Sequence, residues 1–563
     1  MKLKTEFAPF RGLKVPLFAF TLTFFLSAAI ALFIPFGNDT AAHLHLVDLL
    51  RSTKSLSPYD PWWYFGKVEF VGYSLAYYPL AALSNVYIPP IIALSATAGL
   101  VVWFMARSFD ATSAPVSGSA MTRIFGFAVV CSLNLAGLML TGAYPFLSSL
   151  PFFVLASLLV VREENSLRYS LLVVIGSLFS VIGTLWIATL ALTVGVTKFT
   201  NKTKNAWQCG VYTLSRLVPI VVVAVGEVIS TRNLFPKGSY PFYLSDLLEL
   251  SLFLSLVVAF AWWSRRPSLA FAAVIYLVGA VANFVFVRSS LGGNIARIGE
   301  FAPLITAALI LKRSPSEANS VALRGATIVR RRWMSHFRFS ENGKIRIVLL
   351  LSALWSTFWF GSFTIGPLTD STAAYLERSS NWAKLASQLH REFGAQRVEY
   401  VDTALHEGAY FLPKYGIAIA RGWFRQSDQP DNALFYLAQR EFSRSYKSWL
   451  CHYDIASVVL PPAPYDYSSE LEASLVSRGT SYLRPTATVG RFRVFEVTGC
   501  TAKTKIFIFP STFEVVSTEI HIEGTLPIHF ASQLHPASGV TIRQKEGLVY
   551  VGRTAGENLS IHF

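Results

Sequence analysis

The residues with chemistry to offer crowd into one stretch, Gly37 to Pro79, which reads GNDTAAHLHLVDLLRSTKSLSPYDPWWYFGKVEFVGYSLAYYP. Asp39 stands three residues past an apolar run that ends at Phe36, and His43 follows four positions on. On a helix that spacing puts both on one face. A carboxylate at a membrane surface can act as a general base or hold a divalent cation such as Mg or Mn, and a histidine one turn away can share either task. Asp48 and Arg51 continue the polar side, and Asp60, Trp62, Trp63, Tyr73, Tyr77 and Tyr78 follow. Asp60, Trp62 and Tyr77 form a candidate substrate-binding set, since rings of this kind stack on sugar faces. A simpler reading stands beside this one. Asp39 is a favoured residue for capping a helix that starts at Thr40, and aromatic rings gather at the headgroup level of any membrane protein. Asn38-Asp39-Thr40 also matches the N-glycosylation triplet, although its closeness to the apolar run argues that the match is accidental.

The elements that must hold this loop are membrane spans. The chain is 53% hydrophobic and 15% charged, with a mean hydropathy of +0.44. A soluble globule of this size carries roughly 25% charged residues. Runs of about 17–20 apolar residues, the length that crosses a ~30 Å hydrocarbon core, recur from Pro16 to Ile365. The expected spans are Pro16–Phe36, Pro89–Met105, Ile124–Leu140, Tyr144–Val161, Val211–Ile229, Leu247–Trp263, Leu269–Val287, Ile298–Leu311 and Ile347–Ile365. Tyr169–Phe199 reads as one long helix or a tight pair. Leu75–Ser84 is apolar but too short to span, and fits an interfacial or re-entrant piece. The basic start of the chain, with no convincing small-residue cleavage site after the first run, reads as an uncleaved first helix.

Charge chooses between the alternatives for Tyr169–Phe199. Residues 1–366 hold 30 Lys and Arg against 14 Asp and Glu, whereas 367–563 hold 19 of each. With a pair there are eleven spans, the inside segments carry 22 Lys and Arg, and the outside loops carry 7. With a single helix the loop Lys312–Arg346, with nine basic residues, moves outside, against the positive-inside rule. The expectation is a plasma-membrane protein of about eleven spans, N-terminus cytoplasmic and C-terminal part extracytoplasmic. The basic bias then belongs to cytoplasmic loops rather than to nucleic-acid binding.

Three domains follow: a transmembrane domain over 1–366, an extracytoplasmic α/β domain over 367–500 and a small β-rich domain over 501–563. Asn381–Gly394 has the pattern of an amphipathic helix ending at a glycine, and Glu470–Arg478 that of a second helix. Arg397–Val401, Ala456–Leu460 and Gly490–Val497 read as strands. Asp402–Leu412 reads as loop or helix. His406-Glu407 near Tyr410 could face an active site or simply form a structural loop. The text beyond Thr501 is strand-rich and points to a sandwich. Cys451 and Cys500 both fall in the external part, where oxidation is allowed, and are expected to pair.

Charge inside the spans is scarce. Arg216 and Glu227 share the seventh span near its ends, where snorkelling accounts for them. A proton relay needs more buried carboxylates, which argues against a proton-coupled transporter.

One long span, then G-x-D-x-x-x-H-L from Gly37, P-x-D-P-W from Pro58 and G-Y-x-x-x-Y-Y-P from Gly72, together resemble the polytopic membrane glycosyltransferases of the C-type fold. The pattern is most like the membrane proteins labelled "6-pyruvoyl-tetrahydropterin synthase-related", a domain-family label that implies no pterin chemistry. The resemblance covers roughly Pro16–Arg313 and weakly the external part to about Val497. It implies an acidic residue after the first helix as catalytic base or metal ligand, a place that Asp39 occupies. It implies a polyprenyl-phosphate sugar donor whose phosphate meets a basic residue near the outer surface. Arg297 is the first candidate and Arg288 the second, with Glu300 one turn on. It leaves a glycan, lipid or protein as acceptor. The chain departs from the oligosaccharyltransferase pattern: Gly142–Tyr144 carries no second acidic motif, the W-W-D-Y-G signature is missing, and Trp62-Trp63 stands in the wrong place to replace it. A membrane scaffold or receptor that keeps the fold without catalysis is the alternative.

Overall fold

The computed structural model describes residues 14–34, 36–68, 74–110, 118–162, 166–200, 205–231, 242–263, 267–286, 292–301, 347–355, 371–424, 428–429, 431–436, 439–501, 504–517, 522–537, 540–552 and 558–563. Among these the chain divides into two compact units. One holds the long apolar helices. The other joins residues 36–86 to residues 371–563.

In the first unit, six helices are long and apolar enough to cross a membrane: Lys14–Phe33, Ile88–Ala106, Ile124–Thr141, Ala206–Gly226, Leu244–Trp263 and Ser268–Phe286. Three shorter apolar helices, Tyr144–Val160, Leu167–Phe179 and Ile182–Thr197, accompany them. Two expected spans, Ile298–Leu311 and Ile347–Ile365, fall largely outside the described residues. The stretch Tyr169–Phe199 is two helices, Ser166–Phe179 and Ile182–Thr200. They part at Ser180, whose hydroxyl accepts from the Ile182 N–H.

Close helix packing here uses small residues and buried hydroxyls, as lipid-embedded bundles do. Ser132 of the helix Gly118–Gly137 donates to the Ala19 carbonyl of α1 (Lys14–Phe33) at 3.1 Å. A side chain on Gly183 would come within 2.2 Å of the Phe153 ring. Arg216, expected to snorkel outward, is instead buried, its guanidinium 4.9 Å from the Tyr169 ring and 5.4 Å from the Tyr212 ring. Two electron-rich faces offer a cation more than an apolar surround does.

The second unit begins with α2 (Thr40–Thr53), the short antiparallel pair β1 (Tyr59–Asp60) and β2 (Lys67–Val68), and α3 (Tyr77–Leu83). Its α/β part is a four-stranded sheet in the order β3 (Val398–Tyr400), β4 (Ser457–Leu460), β6 (Phe492–Val497) and β5 (Leu483–Val489); β3 and β4 run parallel. All four residues of β4, Ser457 included, are buried, as a largely apolar run that stops at two prolines predicts. The helix Ser379–Phe393 covers the sheet with Trp382, Leu385, Ala386 and Leu389, and stops at Gly394, whose φ of +64° suits a residue without Cβ. The last residues form two more sheets. β7 (Thr504–Phe509), β8 (Thr512–Ser517), β13 (Asn558–His562) and β10 (His535–Pro536) make one; β9 (Gly524–His529), β12 (Leu548–Val551) and β11 (Ile542–Lys545) make the other. Ile506, Phe513 and Ile561 of the first share a core with Leu526, Ile528 and Val549 of the second, which is a sandwich. Cys451 and Cys500 form a disulfide.

Candidate functional site

Asp39 is half-buried at the position before α2, so the helix starts where the sequence predicts. Its carboxylate makes no capping bond. The turn is closed another way: the Thr40 hydroxyl accepts from the Gly37 N–H at 2.9 Å, and the Thr40 N–H donates to the Gly37 carbonyl.

The turn is held from the α/β part. The Trp423 indole N–H donates to the Asn38 carbonyl at 2.9 Å, one residue from Asp39. The Trp423 ring meets His406 edge to face at 5.8 Å. His406 has φ +57°, a left-handed backbone that non-glycine residues seldom adopt. Its Nδ1 lies 2.5 Å from Asp402 Oδ2. His406 starts the helix Glu407–Lys414, which packs on α2. There Tyr410 donates to Asp48 at 3.2 Å, and the ring of Phe411 lies 5.5 Å from that of Phe36. Glu407 is buried, accepts from Thr403 at 2.5 Å, and burial raises its pKa. Glu377 is pushed up to about 7 by burial and by the charge of Glu407. One unit thus brings together the turn before Asp39, a histidine–carboxylate pair, an indole and two carboxyls biased toward their neutral forms. Such a group can accept or give a proton near neutral pH.

The other expected residues have different places. His43 is buried with Nδ1 2.9 Å from the Tyr78 hydroxyl. Tyr77 is fully buried and donates to the Val86 carbonyl. Asp60 is 0% exposed; Oδ2 lies 2.7 Å from His45 Nε2, and Oδ1 accepts from the Trp62 N–H. The polar atoms of Asp60 and Tyr77 thus make hydrogen bonds within the fold. Trp62 is half-buried; its carbonyl accepts from Ile419 N–H.

In the other unit, Arg297 lies in a 3-10 segment, Gly292–Phe301, where an α-helical span was expected to open at Ile298. Its Nε donates to Asn294, Nη1 lies 3.6 Å from Glu300, and the guanidinium is 5.5 Å from the Phe146 ring. Arg288 and Tyr73 lie outside the described residues. Among the described residues no group of three His, Cys, Asp or Glu is gathered to hold a metal.

His45, Asp402 and Trp423 were missed as participants. His45 is two residues from His43, which on a helix turns it to another side, and that spacing was a usable signal. Nothing local links Trp423 to Asn38, 385 residues away in the chain.

No protein-family model matches the chain, and no curated protein matches it. Among solved structures it is similar to an archaeal oligosaccharyltransferase, AglB from Archaeoglobus fulgidus, in complex with an inhibitory peptide and a dolichol-phosphate. The identity is 11%, the match covers 79% of this chain and 69% of that one, and the TM-score is 0.31. The likeness is loose.

Proposed function

We propose that this membrane protein is a glycosyltransferase that moves a sugar from a polyprenyl-phosphate donor to a glycan, lipid or protein acceptor. In this reading Asp39 takes or orients the acceptor proton, and Arg297, with Arg288 as the second candidate, meets the donor phosphate. The reading takes up the eleven-span arrangement in the plasma membrane, with 367–500 and 501–563 as external domains on the side of the Asp39 loop. The observation that carries it is the turn before Asp39, clamped by Trp423 and backed by His406 and Asp402. Rigid placement of a carboxylate is what general-base catalysis needs. The base role needs no metal.

The scaffold alternative draws on the same clamp, since a packed loop also serves a purely structural end. Purified protein in lipid nanodiscs, incubated with a panel of polyprenyl-phosphate sugars, separates the two. Transfer or donor hydrolysis is expected for the wild type, with a fall of about 10²–10⁴-fold for Asp39→Asn. Equal turnover by a well-folded Asp39→Asn protein would remove the base role. No turnover with any donor would favour the scaffold.

A further inference from the structure

The apolar helix α3 leaves one side uncovered. Tyr77, Tyr78 and Ala81 are buried. Leu75, Leu80 and Leu83 are 47%, 46% and 87% exposed. Leu80 and Leu83 stand three apart, one above the other on a helix face. Water is a poor home for exposed leucines on one short apolar segment.

The chain itself says what covers them. The membrane-crossing helix Ile88–Ala106 begins five residues after Leu83, and five extended residues reach at most about 17 Å. Its first turns expose Ile88 at 43% and Ile92 at 51%. Basic groups sit beside the leucines. Arg51 donates to the carbonyls of Ala81, Ala82 and Ser84 at 3.0–3.2 Å, which places a cation at the C-terminal end of α3, where it is favoured. Asp48 lies 3.6 Å from Arg51 and offsets part of that charge. Lys54, exposed at the end of α2, adds a second cation.

We propose that α3 is a membrane foot. Leu75, Leu80 and Leu83 dip into the bilayer that the next helix crosses, and Arg51 and Lys54 lie at the level of the lipid phosphates. Short amphipathic helices lie in this plane when their apolar side faces the acyl chains. The foot fixes the height of α2, and with it the turn before Asp39, above the acyl chains. It does not depend on any catalytic activity.

Nitroxide labels test this on the full chain in nanodiscs. Cys131→Ala and Cys209→Ala remove the free thiols and leave the Cys451–Cys500 disulfide. Single labels are placed through Leu75→Cys, Leu80→Cys and Leu83→Cys. A control label goes through Leu471→Cys on the helix Glu470–Arg478, 43% exposed in the wild type. Leu75 and Leu83 report independently should one variant misfold. Power saturation with oxygen and with a water-soluble nickel chelate is read at each site. Oxygen is expected to win several-fold at the foot, and nickel at the control. Nickel access at Leu83 equal to the control overturns the proposal, as does exclusion of both probes, which would mean that protein covers the face. Adding phosphatidylglycerol should slow the labels at the foot, and Lys54→Gln should weaken that response. An unchanged response in Lys54→Gln removes the lysine from the headgroup contact.

Discussion

At the scale of the residue, the loop after the first span is mostly a set of satisfied buried groups. His45 shows this best. Its ring stacks on Trp63 at 4.1 Å while Nε2 holds Asp60 at 2.7 Å. Trp63 in turn donates to the Ala409 carbonyl, so the pair ties α2 and β1 to the helix Glu407–Lys414. Removing one member strands the other. Asp60→Ala leaves a buried imidazole and the Trp62 N–H without their acceptor, at a cost of about 2–4 kcal/mol. Thermal unfolding followed by tryptophan fluorescence should show a fall in Tm of several degrees, and a combined His45→Leu, Asp60→Ala protein should recover part of it. An additive double variant would show that the two residues do not act as a pair. The sequence marks Asp60 as a candidate substrate contact because P-x-D-P-W is polar and aromatic; its burial against His45 is legible only in the fold, since composition carries no information on burial.

At the scale of the element, what the sequence made legible were the pieces with a strong period or a clear stop. Ser379–Phe393 was readable from its amphipathic spacing and terminal glycine, and β4 from the largely apolar stretch Ala456–Leu460 before two prolines. The break in Tyr169–Phe199 was readable only through loop charge, because neither half carries a proline and Ser180 is a weak signal. What stayed hidden were contacts of long chain separation, above all the segment 421–424 that runs under Trp63 and Tyr64. Gly422 makes that approach possible: a Cβ there would sit 2.6 Å from the Tyr64 ring and 2.7 Å from the Trp63 ring. Both rings are fully buried and have no room to yield. Gly422→Ala is therefore expected to cost about 1–3 kcal/mol through overpacking. It should also raise amide exchange across residues 37–40, because Trp423 is the next residue and would move with it. Unchanged protection of those amides would show that the turn is held by other contacts.

At the scale of the whole molecule, the second unit buries more carboxylates than cations among the described residues. Arg421 sits at the centre. It donates to Glu399 and Glu472, each at 2.7 Å, and lies over the Phe435 ring at 3.7 Å. Burial raises the pKa of both glutamates against the pull of this one arginine. Asp428 is pushed up to about 7 by burial, although Arg421, Tyr436 and Asn432 favour its ionised form. Asp454 is pushed to about 6 by the same cause. Asp431 goes the other way, held down by His529 and Lys67 against its own desolvation. The sign of the resulting pH dependence follows from linkage. A carboxyl with a raised folded pKa binds its proton more tightly in the folded state. Its contribution is complete below the ordinary value near 4 and is lost as pH rises through about 7 for Asp428 and Glu377. Asp431 contributes the opposite slope at lower pH, so between pH 5 and 7.5 the raised groups dominate. The second unit should therefore lose Tm steadily over that window. Asp428→Asn, which cannot ionise but keeps an acceptor and the shape, should flatten part of the slope and raise Tm at pH 7.5 relative to its own wild-type deficit. Differential scanning of the full chain in detergent at half-unit pH steps measures both slopes. Parallel curves for the variant and the wild type would mean that Asp428 stays ionised in the folded protein, with Arg421 outweighing burial.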